Sequence, residues 1–180
     1  VSNISMGTAA TTLSSLVSQK VVITTPVVSY ATWNDLADTY DRPCVFIQIY
    51  YKDGLEGNNI LILKERDVKI ITDLMMGGDG TNTQGELSEL HLSAISEAMN
   101  QMMGSASTSI SSLLEKRVDI SPPQASIVDL NENIDAENVA PFLKHLFVKV
   151  SFKMEIGNLV DSELMQLYPF EFARDLYKKF

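Results

Sequence analysis

Ser93, Glu97 and Asn100 lie four and then three residues apart in ELSELHLSAISEAMNQMMGSASTSISSLLEK, a stretch that reads as one long amphipathic helix. At 3.6 residues per turn this spacing lines the three side chains up over two turns on one side. A hydroxyl, a carboxylate and a carboxamide then share a patch. The carboxamide suits the handling of water beside an anion, because its carbonyl accepts a hydrogen bond while its NH2 donates one. An acid one turn earlier can pair with a cation or take a proton. Asn in an exposed helix interior costs roughly half a kcal/mol relative to Ala, and nothing local accounts for it. A solvated helix face shows similar residues, so spacing alone leaves both readings open.

A second observation bears on the choice. Slid against itself by 97 positions without gaps, the chain matches at eleven of the twenty-four positions from Asn3 to Pro26. Asn3 meets Asn100, Met6 meets Met103, Gly7 meets Gly104, Ser14 and Ser15 meet Ser111 and Ser112, and Pro26 meets Pro123. A fixed offset of this kind marks a duplicated unit. Both asparagines stand 22 intervening residues before a proline. Duplicated scaffolds keep core positions and let surface ones drift, so a surface Asn kept in both copies calls for a reason.

The elements that must position these residues follow from hydrophobic period. The helix begins at the N-cap Ser88, with Leu87 and Leu92 placed as a hydrophobic staple, and runs to about Lys116. Leu92, Ile95, Met99, Met102, Ala106, Ile110 and Leu113 recur at three- and four-residue steps, which makes one core-facing stripe. Each repeat opens with a helix and passes into a β-branched strand bearing prolines, VVITTPVVSY and VDISPPQASIVDL, as suits an edge or a bulge. CVFIQIYY and HLFVKVSFKMEI read as long central strands, and in the latter Leu146, Val148, Val150, Phe152, Met154 and Ile156 alternate with mostly polar neighbours. NNILILKE and SELMQLYP follow as partner strands, leading into closing helices DVKIITDLMM and FEFARDLYKKF. GGDGTNTQGE, residues 77–86, is turn chemistry and the best boundary between repeat one, 1–80, and repeat two, 86–180. The expectation is an α/β (α+β) domain over 1–180 with pseudo-two-fold symmetry. Its two helix-strand repeats form one continuous sheet with helices packed on it, because either half alone would bare a sheet edge and an apolar face.

SAISEAMNQMMGSASTS followed by ISPP resembles the signature of the CheC, CheX and FliY family of CheY-phosphate phosphatases. In that signature Asp or Ser is followed after three residues by Glu, after two more by Asn, and after 22 more by Pro. Ser93, Glu97, Asn100 and Pro123 match every position, and Asn3 and Pro26 match the end of a second copy whose Glu would precede Val1. The resemblance extends over essentially the whole chain, and MNQMMGSA, ISPP and MQLYP are similar to the FliY branch in particular. It implies a CheC-like fold and hydrolysis of the aspartyl phosphate of CheY, with Asn100 and its twin Asn3 orienting an in-line water. It also implies that Glu97 pairs with the lysine beside the regulator's phosphate. Glu97 as general base is the weaker alternative, since a carboxylate is repelled by a phosphoryl group. Ser93, Pro123 and Pro26 shape the sites. No cofactor of its own is expected, the Mg²⁺ being supplied by the bound regulator. The same resemblance reaches the FliM middle domain, a scaffold of the flagellar switch that lacks the catalytic pairs. There a Gly-Gly-x-Gly turn contacts FliG, and Gly77, Gly78, Asp79 and Gly80 match it. Phosphorylated CheY, FliG, FliM and FliN are therefore the implied partners, and the cytoplasmic face of the flagellar basal body the implied location. A non-catalytic switch-ring scaffold is the competing function.

Other chemistries lack parts. His91 and His145 have no visible mates, there is no GxSxG elbow, and Cys44 is the single cysteine, so serine, cysteine and zinc schemes fail. GGDG has no P-loop Lys or Ser/Thr, and DLNENID from Asp129 opens like a calcium loop but carries Ile134 and Ala140 where Gly and Glu belong. With 23 acidic and 14 basic residues the net charge is -9 and no basic stripe gathers, which argues against nucleic acid. Cys44 in an apolar strand fits a buried thiol in a reducing, cytoplasmic setting. No run is long enough to span a bilayer, no secretory leader is present, and the chain starts at Val1 rather than Met, as expected of a piece of a longer protein.

Overall fold

The computed structural model describes residues 2–39, 43–52, 57–115, 117–128, 140–170 and 174, without the side chains of 2–5, 25, 37–39, 52 and 114. The elements run α1 (Ser2–Val17), β1 (Val21–Ala31), α2 (Trp33–Thr39), β2 (Cys44–Lys52), β3 (Gly57–Lys64), α3 (Glu65–Met75), α4 (Glu89–Leu114), β4 (Asp119–Ile120), β5 (Gln124–Val128), a 3-10 turn (Pro141–Lys144), β6 (Phe147–Ile156) and β7 (Val160–Pro169). The acidic segment from Asp129 and all of FEFARDLYKKF except Phe170 and Arg174 lie outside the described residues.

All seven strands form one antiparallel sheet in the order β1-β6-β7-β3-β2-β4, with β5 also pairing β2. The repeats exchange their first strands. β1 of the first repeat pairs with β6 of the second, β4 and β5 of the second pair with β2 of the first, and β3 meets β7 in the middle. Each repeat's own hairpin, β2–β3 or β6–β7, thus has its outer edge covered by the other repeat.

Prolines mark where those covering strands break. Among the described residues β1 pairs only with β6, and it shifts register between Thr24 and Val27, so the missing N–H of Pro26 falls in a bulge of an edge strand. Pro122 and Pro123 fall between β4 and β5, where Ser121 keeps the contact instead: its N–H donates to the Tyr50 carbonyl at 2.8 Å and its hydroxyl accepts the Tyr50 N–H at 3.0 Å.

The strands' two faces explain their composition. In β2, Val45, Ile47, Ile49 and Tyr51 point into the core shared with α1, α3 and α4, while Cys44 and Phe46 point into a smaller core with Leu36 of α2 and Leu143 of the 3-10 turn. Burial on both faces from Cys44 to Ile47 is why CVFI reads as an unbroken apolar run, which gives way at half-buried Gln48 and exposed Tyr50. β6 instead alternates as its sequence does, with Val148, Val150, Phe152, Met154 and Ile156 buried. Leu146 does not share in this; it precedes the strand and is 51% exposed. Leu113 likewise leaves the expected helix stripe, 42% exposed in the last turn of α4, whereas Ala98, Met103 and Ser107 join it. A helix 26 residues long outruns the core beneath it, and its apolar face widens where α1 packs against it.

α1 and α4 end alike. Ser18 and Glu115, one offset apart, both take left-handed φ, 53° and 54°. The Ser14 hydroxyl bonds the Gln19 carbonyl, and the Ser111 hydroxyl donates to the Val118 carbonyl at 3.2 Å while accepting the Val118 N–H at 2.7 Å. These clips satisfy backbone groups of residues just beyond each helix and tie the outgoing chain to the helix's last turn.

Asp67 in α3 is 6% exposed. Burial pushes its carboxyl above the usual carboxylate value; the Ser162 hydroxyl and the charges of Lys64 and Arg66 offset only part of this. The Ser162 contact falls short of good hydrogen-bond geometry, since neither Asp67 Oδ2 nor the Ser162 hydroxyl has a partner among the described residues. A carboxyl raised on folding holds its proton more tightly in the folded state, so its contribution is full below the ordinary value and is lost as pH rises through the folded one. Asp67→Asn is expected to stabilise the fold by about 1 kcal/mol at pH 8. That gain should shrink toward pH 4.5, as read from urea unfolding midpoints of the two proteins at both values.

Candidate functional site

α4 starts at Ser88, where His91 serves in place of the usual Glu: its Nδ1 accepts the Ser88 N–H at 3.0 Å, with the Ser88 hydroxyl 2.9 Å from the same nitrogen. His91 therefore has a structural task. Leu87 and Leu92 both pack against the core. From there Ile95, Ala98, Met99 and Met102 hold one side of the helix buried, which turns Ser93, Glu97 and Asn100 outward, all three exposed.

An open groove of about 510 Å³ runs along this side of α4 and gathers Ser93, Glu97, Asn100 and Pro123. Glu89, Leu92 and Ser96 complete the helix wall, and Pro122 and Ala125 stand with Pro123 on the opposite wall. The 22-residue gap between Asn100 and Pro123 is what the chain needs to finish α4, turn at Glu115 and return along β4 to the helix's side. The groove thus has a polar wall on the helix and an apolar wall on the strand. Its charged members are Glu89 and Glu97, with no cation among the described lining residues.

Glu97 is held from its own helix: Gln101 Nε2 donates to Glu97 Oε1 at 2.8 Å. Asn100 has no such tie. Its carboxamide makes no hydrogen bond to the described residues and faces the groove. A free amide beside an oriented acid can bind water and an anionic oxygen together once a partner closes the open side.

The first repeat is only partly visible. Asn3 falls in the first turns of α1, the register equivalent of Asn100, but its side chain is outside those described. Pro26 is half-buried in the β1 bulge. Sequence reasoning did not single out Glu89, Ser96 or Gln101. Glu89 extends the stripe one turn before Ser93, and Gln101 stands four residues after Glu97, so helical spacing alone could have found both.

The turn at 77–80 is built from inside. Gly77 and Gly80 have φ of 90° and 88°, a conformation that favours glycine. At Gly78 a Cβ would lie 2.3 Å from the Asp73 carboxylate, which accepts the Gly80 N–H at 2.8 Å. Gly80 is buried, and its Cβ would come within 2.6 Å of Leu159. Asp79, exposed, closes an Asx turn on Thr81, whose hydroxyl and N–H hold the Asp79 carboxyl below its usual value. Lys69 anchors the far end of the segment through the Gly85 carbonyl and pairs with Glu65 at 2.9 Å.

Among the described residues no three His, Cys, Asp or Glu side chains gather as a metal site, and no helix is long and apolar enough to cross a membrane. Cys44, the single cysteine, is buried and in no disulfide.

The paired helices, the exchanged strands and the Glu-Asn groove define a CheC-like protein, and the pattern of the CheC-like family matches residues 1–30 and 90–127, the two helix-strand units. The flagellar motor switch phosphatase FliY of Bacillus subtilis (strain 168) is 46% identical over 176 residues, 98% of this chain and 46% of that protein. The crystal structure of Thermotoga maritima FliY has a TM-score of 0.89 at 39% identity, covering 99% of this chain and 90% of that one. The FliG–FliM complex from H. pylori shares the fold alone, with a TM-score of 0.70 at 17% identity, over 93% of this chain and 88% of that one. This chain belongs to the FliY family. It spans a little under half the length of the curated relative.

The glycine turn makes a graded expectation. Gly80→Ala, strained in φ and blocked by Leu159, should cost about 2–3 kcal/mol. Gly77→Ala, strained in φ but with open space around its Cβ, should cost about 1 kcal/mol. Equal denaturation midpoints for the two variants would contradict this account of the turn.

Proposed function

We propose that this chain hydrolyses the aspartyl phosphate of a CheY-type response regulator, with Asn100 orienting the attacking water. The observation that carries the reading is the groove itself: Ser93, Glu97, Asn100 and Pro123 line one surface, and the Asn100 amide is exposed and uncommitted.

An aspartyl phosphate is an activated mixed anhydride, and the regulator brings its own Mg²⁺ and lysine to the phosphoryl oxygens. Water attacks phosphorus in line, the bond from phosphorus to the aspartate oxygen breaks, and carboxylate and inorganic phosphate are released. The helper's task is placement, which is worth several kcal/mol without a covalent step. The Asn100 carbonyl accepts from the water, and its NH2 donates toward a phosphoryl oxygen. Glu97 pairs with the lysine beside the phosphate and sets the helix in register. Ser93 lies on the approach surface, and Pro123 fixes the facing wall. Asn3, which with Pro26 matches Asn100 and Pro123 by the offset of 97, is the equivalent group of the first repeat.

A switch-ring role coexists with this one. The exposed Gly77, Gly78 and Asp79 at the tip of a rigid turn suit contact with FliG, and FliM and FliN are the companion partners. The setting is cytoplasmic, at the flagellar basal body.

Asn100→Ala is expected to lower the rate of phosphate release from phosphorylated CheY by roughly 10²-fold at the second site, with little change in KM. Asn3→Ala tests the first site, and the double variant should approach the spontaneous rate of CheY. Phosphate release measured with and without each protein decides. A CheY-phosphate lifetime unaltered by the wild-type chain leaves the scaffold as the surviving reading.

A further inference from the structure

We propose that Gln101 is a positioning residue that braces Glu97 for the partner's cation, an inference that rests on the docking role given to Glu97 above. The observation is the 2.8 Å hydrogen bond from Gln101 Nε2 to Glu97 Oε1 on the exposed face of α4.

The bond divides the carboxylate's labour. Oε1 is committed within the helix, while Oε2 makes no hydrogen bond to the described residues and is left to meet an incoming ammonium. An exposed Glu otherwise samples many rotamers, and ordering it on binding has an entropic cost that a brace has already met. The choice of a neutral donor matters. Four residues after Glu, the usual helix-stabilising partner is Lys, which would neutralise the acid and compete with a visiting lysine. Gln holds the side chain and leaves its full charge in place. The position is also where the repeats part: one offset back from Gln101 stands Ile4, which has no donor.

A purely structural role for Gln101 and a bracing role predict opposite trends in one series. Gln101→Met keeps the shape and removes the donor; KM for phosphorylated CheY, and the Kd of that receiver measured by titration, should rise about two- to threefold with kcat unchanged. Gln101→Lys gives Glu97 a permanent cation, so KM and Kd should rise roughly fivefold or more while the unfolding midpoint stays level or climbs. In a Glu97→Gln background both changes should lose their effect on KM, because the residue they act through is gone. Wild-type KM and Kd in both single variants, or affinity lost only in step with falling stability, would overturn the brace. If the wild-type chain binds the receiver without hydrolysing it and Kd still follows the series, the brace stands and the hydrolytic reading falls; if it does not bind, both fall.

Discussion

The exchange of first strands between repeats is the constraint on which the rest of the molecule depends. β5 belongs to the second repeat by sequence but is held by β2 of the first, from Gln48↔Gln124 to Cys44↔Val128. α4, the helix just before it, rests on the core formed with α1 and the shared sheet. The groove lies between these two, so its walls are fixed only when both repeats are folded together. A site on a regular helix facing a paired strand is more sharply positioned than one on a loop.

Electrostatics of the groove fit its open form. The two carboxylates that line it, Glu89 and Glu97, are exposed and meet no cation of the groove, so they remain hydrated and available. Exposed charges of this kind contribute little to stability and act on encounter and register instead. The apolar opposite wall of Pro122, Pro123 and Ala125 offers area without a competing polar partner.

Much of this was legible in the sequence because it is periodic. The duplication, the long helix from Ser88, the half-buried strand at 147–156 and the outward patch of Ser93, Glu97 and Asn100 each follow from one spacing rule. α2 was not visible, since WNDLADT is too short for a helical period to show and its anchor, Leu36, buries against the far side of the sheet. Leu113 and Leu146 fit the periods of buried stripes yet are exposed, because period alone cannot tell where a neighbouring element stops covering them. The strand exchange itself depends on pairing between distant segments, which local pattern does not encode. Within the site, Gln101 was passed over because a Gln on a solvated face looks ordinary until its partner is known.

The two repeats also sort their shared residues by cause. Met6 with Met103 and Ala9 with Ala106 are buried. Thr11 and Thr108 bond back to the carbonyls of Gly7 and Gly104, and Ser15 and Ser112 to those of Thr11 and Thr108. Ser14 and Ser111 clip the helix ends, and Val21 and Val118 enter the core. Pro26 and Pro123 sit where covering strands break. Each of these identities has a use inside the fold. Asn100 does not: its side chain is exposed, makes no bond to the described residues, and occupies a helix position where Gln, Glu, Lys or Arg would be less costly. What the architecture leaves unexplained at that position is a need that arises only when something else is bound.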